Sequence, residues 1–118
     1  MKVLAEWRIR ATRGFLRRFG VHLNTLDRQV HMKFLKNYLD EFSINLFIDV
    51  GASSGRNLST LRRLGYKGRI ISFEPLLSSY SFLRSLSDAD PLWEAHRMAL
   101  GNMEGFVDLN VSGNAVSS

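Results

Sequence analysis

The stretch Ile48-Asp49-Val50-Gly51-Ala52-Ser53-Ser54-Gly55-Arg56-Asn57 decides the fold of this chain. It begins inside a short apolar run, Leu46–Val50, and leads into a helical pattern over residues 56–64, so a strand turns directly into a helix. Gly51 permits a tight turn and a close ligand approach, and Gly55 lets the helix begin close to the strand. Open α/β sheets bind ligands at such turns. The stretch therefore predicts an α/β fold with a binding site here.

Strand and helix patterns alternate along the rest of the chain. The continuous apolar run Leu46–Val50 is typical of a parallel strand covered on both faces. Helices are predicted over residues 24–42, 56–64 and 78–87, and strands over Leu46–Val50, Arg69–Phe73, residues 93–98 and residues 106–111. Trp93 is expected to pack in the core. This alternation predicts a doubly wound parallel sheet.

The N-terminal segment differs from the remainder in charge. Residues 1–36 contain nine Lys or Arg and two acidic residues, whereas the remainder contains seven and nine. Residues 1–20 predict a basic amphipathic helix that stops at Gly20, with an apolar residue at every fourth position: Val3, Trp7, Ala11, Phe15 and Phe19. In the second helix, Asn24 is the predicted N-cap, and the predicted buried stripe comprises Leu26, Val30, Phe34, Tyr38 and Phe42. We therefore divide the chain into a basic helical segment, residues 1–44, and an α/β region, residues 45–118.

Composition excludes several classes of function. The 118 residues contain no cysteine, which rules out a disulfide framework, a thiolate zinc site and a cysteine nucleophile. His22, His31 and His96 lack metal-ligand spacing, so they are interpreted as structural and no metal site is predicted. No apolar run approaches the ~18 residues of a membrane span, and the N-terminus lacks the apolar stretch of a secretory signal. These features predict a soluble, cytoplasmic protein without a transmembrane segment.

The spacing of the glycines discriminates between ligands. A dinucleotide fingerprint would need glycine at positions 53 and 56, where the chain has Ser53 and Arg56, and the Gly-Lys-Ser/Thr of a P-loop is also missing. Glu74 ends the second strand, 23 residues after Gly51. In nucleoside-binding α/β folds an acid at about this distance accepts hydrogen bonds from both ribose hydroxyls. The glycine turn and Glu74 together predict a ligand that contains a nucleoside.

Five segments carry a resemblance to a known family: residues 49–52 with Gly55, residues 65–75, residues 90–94, residues 99–102 and residues 110–118. They resemble the FkbM family of S-adenosylmethionine-dependent methyltransferases. The resemblance covers the chain from about residue 46 to its end, and residues 65–75 are its most specific part. The chain departs from the family at Ser53, where the family often has Asn, and at Asn102, where it often has Asp.

The resemblance implies a Rossmann-like class I methyltransferase fold, of which this chain would hold the N-terminal, cofactor-binding half behind N-terminal helices. The sheet would be incomplete and the chain would stop before the catalytic half. The implied cofactor is S-adenosylmethionine, and the implied reaction is O-methylation of a hydroxyl on a sugar, glycan or natural product. The general base and most acceptor contacts would come from beyond residue 118, so no catalytic residue is named.

The resemblance also implies roles for matching positions. Glu74 would bind the ribose, and residues 98–100 would lie beside the adenine. The methionine and ribose portions of the cofactor would be lined by Asp49, Gly51, Ala52 and Gly55. The full set of candidate cofactor-binding residues is Asp49, Gly51, Ala52, Ser53, Gly55, Asn57, Glu74, Pro75 and Ala99.

Two other functions remain compatible with these residues. The turn and Glu74 would also suit a non-catalytic module that binds an adenosyl ligand. The basic residues 1–20 would suit an interaction domain that contacts an anionic surface, such as a peripheral membrane or a polyanionic acceptor. Nucleic acid is not favoured, because no recognition motif accompanies the charge. In the plainest interpretation the arginines of residues 8–18, and Arg56, Arg62 and Arg63, form solvated helix faces.

Overall fold

The computed structural model describes residues 23–111 of the chain. Its elements, in chain order, are α1 (Leu23–Glu41), β1 (Leu46–Val50), α2 (Arg56–Arg63), β2 (Arg69–Phe73), α3 (Leu77–Asp88) and β3 (Trp93–His96). Up to residue 96 this order confirms the predicted alternation of strand and helix, with shifts at the ends of elements. No helix in this range is long and apolar enough to cross a membrane. The predicted basic helix of residues 1–20 lies outside the described residues.

The strands form one parallel sheet in the order β1-β2-β3. The register aligns Phe47 with Ile70 and Ile70 with Trp93, so these three residues form a row across the sheet. Two positions further along the strands, Asp49 is aligned with Ser72. Because side chains alternate between faces along a strand, both rows lie on the same face. Asp49 therefore shares a face with the core residues Ile70 and Trp93.

The core lies on this face of the sheet, where residues from the three described helices pack. Its buried members are Leu39, Leu58, Leu61, Tyr66, Ile70, Leu83 and Trp93. The prediction that Trp93 packs in the core is confirmed. Its indole Nε1 donates a hydrogen bond of 3.0 Å to the hydroxyl of Ser72, which is also buried. This bond gives two buried polar groups a partner and avoids the cost of leaving them unpaired.

The opposite face of the sheet is open among residues 23–111. Leu46, Ile48 and Val50 of β1 are 43%, 54% and 58% exposed. The prediction that β1 is covered on both faces is therefore wrong within this range. An apolar run shows that a strand is suited to burial, but it does not show whether an element is present to cover it. What the structure shows is a small α/β fold with a three-stranded parallel sheet.

Helix α1 faces the core with a different side from the predicted one. The predicted buried stripe of Leu26, Val30, Phe34, Tyr38 and Phe42 is exposed. Leu39 is buried instead, and Met32 and Leu35 pack against the core beside it. Both sides of α1 carry apolar residues, so helical periodicity alone could not select the side that contacts α2. Asn24 lies within the helix and is not its N-cap.

The predicted strand over residues 106–111 is not formed. Residues 97–111 contain no helix or strand, and Phe106, Val107, Leu109 and Val111 are all exposed. Strand β3 likewise ends at His96 and does not reach the predicted end at residue 98. A strand depends on hydrogen bonds to a neighbouring strand. The alternating pattern reports a suitable side-chain order but not the presence of a partner, and residues 106–111 pair with neither edge of the sheet.

Arg62 is anchored, not solvated. Its guanidinium group donates hydrogen bonds of 2.7 Å to the Asp90 carboxylate, 2.7 Å to the carbonyl of Tyr66 and 3.2 Å to the carbonyl of Leu92. The prediction of a solvated face on α2 is therefore wrong for Arg62, although Arg56 and Arg63 are exposed. The side chain is long enough to reach past the end of α2 into the loop before β3, and helical position alone does not reveal this.

Candidate functional site

The turn between β1 and α2, residues 51–55, is named the glycine turn here. Gly51, Ser53 and Gly55 have φ angles of 77°, 53° and 76°. The N–H groups of Gly51 and Ala52 donate to the carbonyl of Phe73 at 2.9 Å and 3.0 Å, which ties the turn to the end of β2. A left-handed φ costs a residue with a Cβ about 1–2 kcal/mol. The conformation therefore suits glycine at positions 51 and 55, and at Ser53 it must be held by surrounding contacts.

The two glycines of the turn meet different requirements. A Cβ at Gly55 would lie 2.8 Å from Cδ1 of Leu83, 3.1 Å from Cδ1 of Leu86 and 3.4 Å from the ring of Trp93. A Cβ at Gly51 would meet no atom within 4 Å. Gly55 thus allows α2 to start close against α3 and β3, whereas Gly51 faces open space that a ligand could enter. The sequence predicts a helix start close to the preceding strand at Gly55, and the contacts found are with α3 and β3. The ligand approach at Gly51 stays a prediction.

The Glu74 carboxylate contacts the glycine turn directly. Its Oε2 accepts a hydrogen bond of 2.8 Å from the Ser53 N–H, and its Oε1 accepts one of 2.8 Å from the Leu76 N–H. Glu74 is only 8% exposed, and its own N–H donates to the His96 carbonyl at 3.1 Å. The sequence predicts both features at one edge of the sheet, but it gives no sign that the carboxylate binds the backbone of the turn.

Asp49 brings a second carboxylate to this edge. It precedes the last residue of β1 and is half-buried. Burial raises the pKa of Asp49 above its usual value, and the negative charge of Glu74 raises it further. Burial and Glu74 therefore disfavour ionisation of Asp49. A cationic group beside the two carboxylates would offset that cost, so the site suits a ligand with a positive charge.

The start of α2 supplies hydrogen-bond donors to the same edge. Gly55 occupies the N-cap position, and no side chain caps the helix there. The first N–H groups of a helix have no partner within the helix and form its positive end. Asn57 is exposed in this first turn. The site thus combines backbone donors with carboxylate acceptors, a combination that suits a ligand rich in polar groups.

The structure brings most of the predicted site residues together. Asp49, the residues of the glycine turn, Asn57, Glu74 and Pro75 all lie where β1 and β2 end. Ala52 is half-buried and packs against the core, and Pro75 is half-buried beside Glu74. Ala99 differs, because it is exposed in irregular chain three residues after β3. Only its position after β3 connects it with this edge.

An aromatic pair at the same edge was missed by the sequence reasoning, which gave His96 a structural role. The rings of Phe73 and His96 stack with centroids 5.4 Å apart and an interplanar angle of 23°. The register aligns Val50 with Phe73 and Phe73 with His96, so all three end their strands in one row on the open face. The pair adds a flat surface beside the glycine turn. Its detection requires the strand register, which the sequence does not give.

A cavity of about 410 Å³ lies at the other end of the sheet. It is lined by residues just before β1 and β2, including Ile44, Asn45, Tyr66 and Gly68. Strands β1 and β2 begin there, so the cavity lies at the amino edge, away from the glycine turn at the carboxyl edge. We therefore treat it as a gap between loops and not as part of the candidate site.

Within residues 23–111 no group of three or more His, Asp or Glu side chains is placed to hold a metal ion.

No protein-family model matches the chain, and no curated protein or solved structure matches it with significant similarity. A function for the site therefore depends on its geometry and on the motifs in its sequence.

Proposed function

We propose that the chain is the cofactor-binding part of an S-adenosylmethionine-dependent O-methyltransferase of FkbM type. Its acceptor would be a hydroxyl group on a sugar, glycan or natural product. The observation that supports this most directly is the contact between Glu74 and the glycine turn. An acid at the end of the second strand, next to a glycine-rich turn after the first, is the arrangement with which α/β folds bind a nucleoside.

Glu74 retains the capacity to bind a ribose. A carboxylate has about four acceptor positions, and the N–H groups of Ser53 and Leu76 occupy two of them. The remaining positions would accept hydrogen bonds from the two ribose hydroxyls. Because both backbone bonds hold the carboxylate in place before the ligand arrives, little side-chain entropy would be lost on binding.

Asp49 supports a ligand that carries positive charge. S-adenosylmethionine carries both an ammonium group and a sulfonium group, and its activated methyl group lies on the latter. A cation near Asp49 would stabilise the ionised carboxylate, which burial and Glu74 disfavour. The contribution of this chain would be to bind and orient the cofactor, since the methyl group is already activated.

The open face of the sheet supports the second part of the proposal, that this region is one half of a larger α/β domain. Leu46, Ile48 and Val50 form an apolar strip on that face, and β1 pairs only with β2 among the described strands. In a doubly wound domain, further strands would extend the sheet beyond β1, and further helices would cover this face. That added half would supply the acceptor site and the general base.

Isothermal titration calorimetry tests the ribose assignment without altering the protein. The chain is titrated with S-adenosylhomocysteine and with its 2′-deoxy analogue. Loss of one hydrogen bond to a charged acceptor corresponds to about a tenfold to hundredfold weaker affinity. The proposal predicts a loss of this size for the analogue. Equal affinities for the two ligands, or no binding of either, would refute the ribose assignment.

A module that binds an adenosyl ligand without methyl transfer is the second candidate, because the glycine turn and Glu74 account for binding but not for deprotonation of an acceptor. Transfer of a radiolabelled methyl group to a panel of sugars and glycans distinguishes the two candidates. Binding accompanied by labelled acceptor supports the enzyme. Binding without labelled acceptor, in a chain extended to a complete domain, supports the module.

A further inference from the structure

Helix α1 and the residue that follows it carry large apolar residues that the core does not use. Leu26, Val30, Phe34, Tyr38 and Phe42, called the exposed row here, are between 45% and 71% exposed. Helix α1 uses its other side, with Leu39, to pack against the core. Apolar surface left in water forgoes about 25 cal/mol of stabilisation per Å². A continuous row of this kind on a helix indicates an interaction surface.

The N-terminal part of the chain contains a matching row. In residues 1–20, called the basic segment here, the apolar residues Val3, Trp7, Ala11, Phe15 and Phe19 have the same four-residue spacing as the exposed row. The two rows are mirror images in the sequence about residues 22 and 23, so that 3 corresponds to 42, 7 to 38, 11 to 34, 15 to 30 and 19 to 26. Facing positions in two antiparallel helices joined by a short turn are related in this way, and such turns contain about two to five residues.

The length of the basic segment and its short distance from α1 along the chain also favour two antiparallel helices. At about 1.5 Å per residue, a helix over the basic segment would be about 30 Å long and would match the 19 residues of α1. The described part of α1 begins at Leu23, three residues after the basic segment ends at Gly20. Consecutive elements joined by short connections normally lie side by side. The surface nearest to the basic segment along the chain is therefore α1 itself.

The two parts differ in charge, because α1 contains three Lys or Arg and three Asp or Glu. The basic segment contains six Lys or Arg and one Glu. Asp27 precedes Val30 by three residues and Glu41 follows Tyr38 by three, so both exposed carboxylates adjoin the exposed row. The mirrored alignment brings Arg18 opposite Asp27, whereas it brings Arg17 opposite Arg28 and Leu4 opposite Glu41. The Asp27 carboxylate would therefore attract the basic segment at this point.

We propose that the basic segment folds back as an antiparallel helix on α1 and covers the exposed row. In this hairpin Trp7 packs against Tyr38, and the small Ala11 lies opposite Phe34, which is 71% exposed and the most exposed member of the row. The proposal does not depend on the proposed methyltransferase function.

Disulfide trapping in the full chain tests the hairpin, because the protein has no cysteine of its own. The variant Ala11→Cys with Phe34→Cys joins facing positions, and the matched control Ala11→Cys with Lys33→Cys moves one thiol to the neighbouring residue on another side of α1. A disulfide requires Cα atoms within about 7 Å. We expect the facing pair to form an intramolecular disulfide at least tenfold faster than the control in a glutathione buffer. The pair Phe15→Cys with Val30→Cys repeats the test elsewhere along the row.

Other occupants of the exposed row would give different results. Equal rates for facing and control pairs, or no intramolecular disulfide in either facing pair while circular dichroism shows folded protein, would overturn the hairpin. Cross-linked dimers in place of the intramolecular product would point to a second copy of the chain. Protein that binds phosphatidylserine vesicles but forms no intramolecular disulfide, with or without them, would point to a membrane surface. Each of the last two results also overturns the proposal.

Discussion

At the scale of single residues, the candidate site depends on two carboxylates with different environments. Glu74 is buried but receives two backbone N–H groups, which offset the cost of removing its charge from water. Asp49 is half-buried and has a raised pKa, caused first by burial and then by Glu74. A binding site commonly retains such a locally unfavourable charge because the ligand compensates it.

Replacement of Asp49 by asparagine tests this interpretation. The folded pKa of Asp49 lies above its usual value of 3.8. At a pH between 3.8 and the folded pKa, the folded chain therefore binds more protons than the unfolded chain. Stability therefore falls as pH rises through the raised pKa. Asp49→Asn removes the cost of ionisation and should be more stable than the wild type at pH 7, with a smaller difference as the pH approaches 4.

Urea unfolding between pH 4 and pH 8 measures this difference, with Asp108→Asn, at an exposed position, as the control. A variant that is less stable than the wild type at pH 7 would contradict the interpretation. The same variant should bind S-adenosylmethionine more weakly, because it lacks the carboxylate that would face a cation. Stability and binding should thus change in opposite directions, as often happens at functional sites.

At the scale of elements, the glycine turn joins a strand, a helix and the end of a second strand. The sequence predicted the tight turn at Gly51 and the bounds of β1 and β2, because turns and strands depend on local residue types. It did not predict the side of α1 that faces the core, or the anchoring of Arg62 to the loop before β3. Those features depend on contacts between elements that are distant in the sequence, and local sequence patterns do not predict such contacts.

Alanine substitutions at the two glycines should have separable effects. Gly51→Ala should cost about 1–2 kcal/mol of stability, because only its backbone conformation is unfavourable. Gly55→Ala should cost about 1–3 kcal/mol more, because its Cβ would collide with Leu83 and Leu86. The ligand affinity, in contrast, should fall more in Gly51→Ala than in Gly55→Ala. The folded Gly51→Ala protein should lose at least tenfold in affinity for S-adenosylhomocysteine, since its methyl group would occupy the open space of the site.

Denaturant unfolding and calorimetric titration of both variants provide the two measurements. Equal stabilities for the two variants would show that Gly55 has no special packing role. Unchanged ligand affinity in Gly51→Ala would show that the ligand does not approach this part of the turn.

At the scale of the whole molecule, the described fold is one-sided. The core lies on one face of the sheet, and the other face presents apolar residues of β1 to solvent. The sequence predicted the α/β class because strand and helix patterns alternate, but it could not predict which faces are covered. It also predicted a strand over residues 106–111 that finds no partner in this fold. Pairing and coverage are properties of the assembled molecule and not of a segment.

Substitutions on the two faces of the sheet should differ sharply. Ile70→Ser on the covered face should cost about 3 kcal/mol or more, since it removes buried apolar contacts and introduces a hydroxyl group. Ile48→Ser on the open face should change the unfolding free energy by less than about 1 kcal/mol. Urea unfolding of both variants checks the difference. A comparable loss for Ile48→Ser would show that the open face is covered in solution.

The central claim is that Glu74 and the glycine turn together bind an adenosyl ligand. Its most direct test is calorimetric titration of S-adenosylhomocysteine into the wild type, Glu74→Gln and the control Glu41→Gln, whose exposed side chain lies at the end of α1. The amide of Gln cannot accept every hydrogen bond that the carboxylate accepts. The claim predicts micromolar or tighter binding to the wild type and the control, and about tenfold to hundredfold weaker binding to a folded Glu74→Gln protein. Equal affinity in all three proteins, or no binding to the wild type, would contradict it.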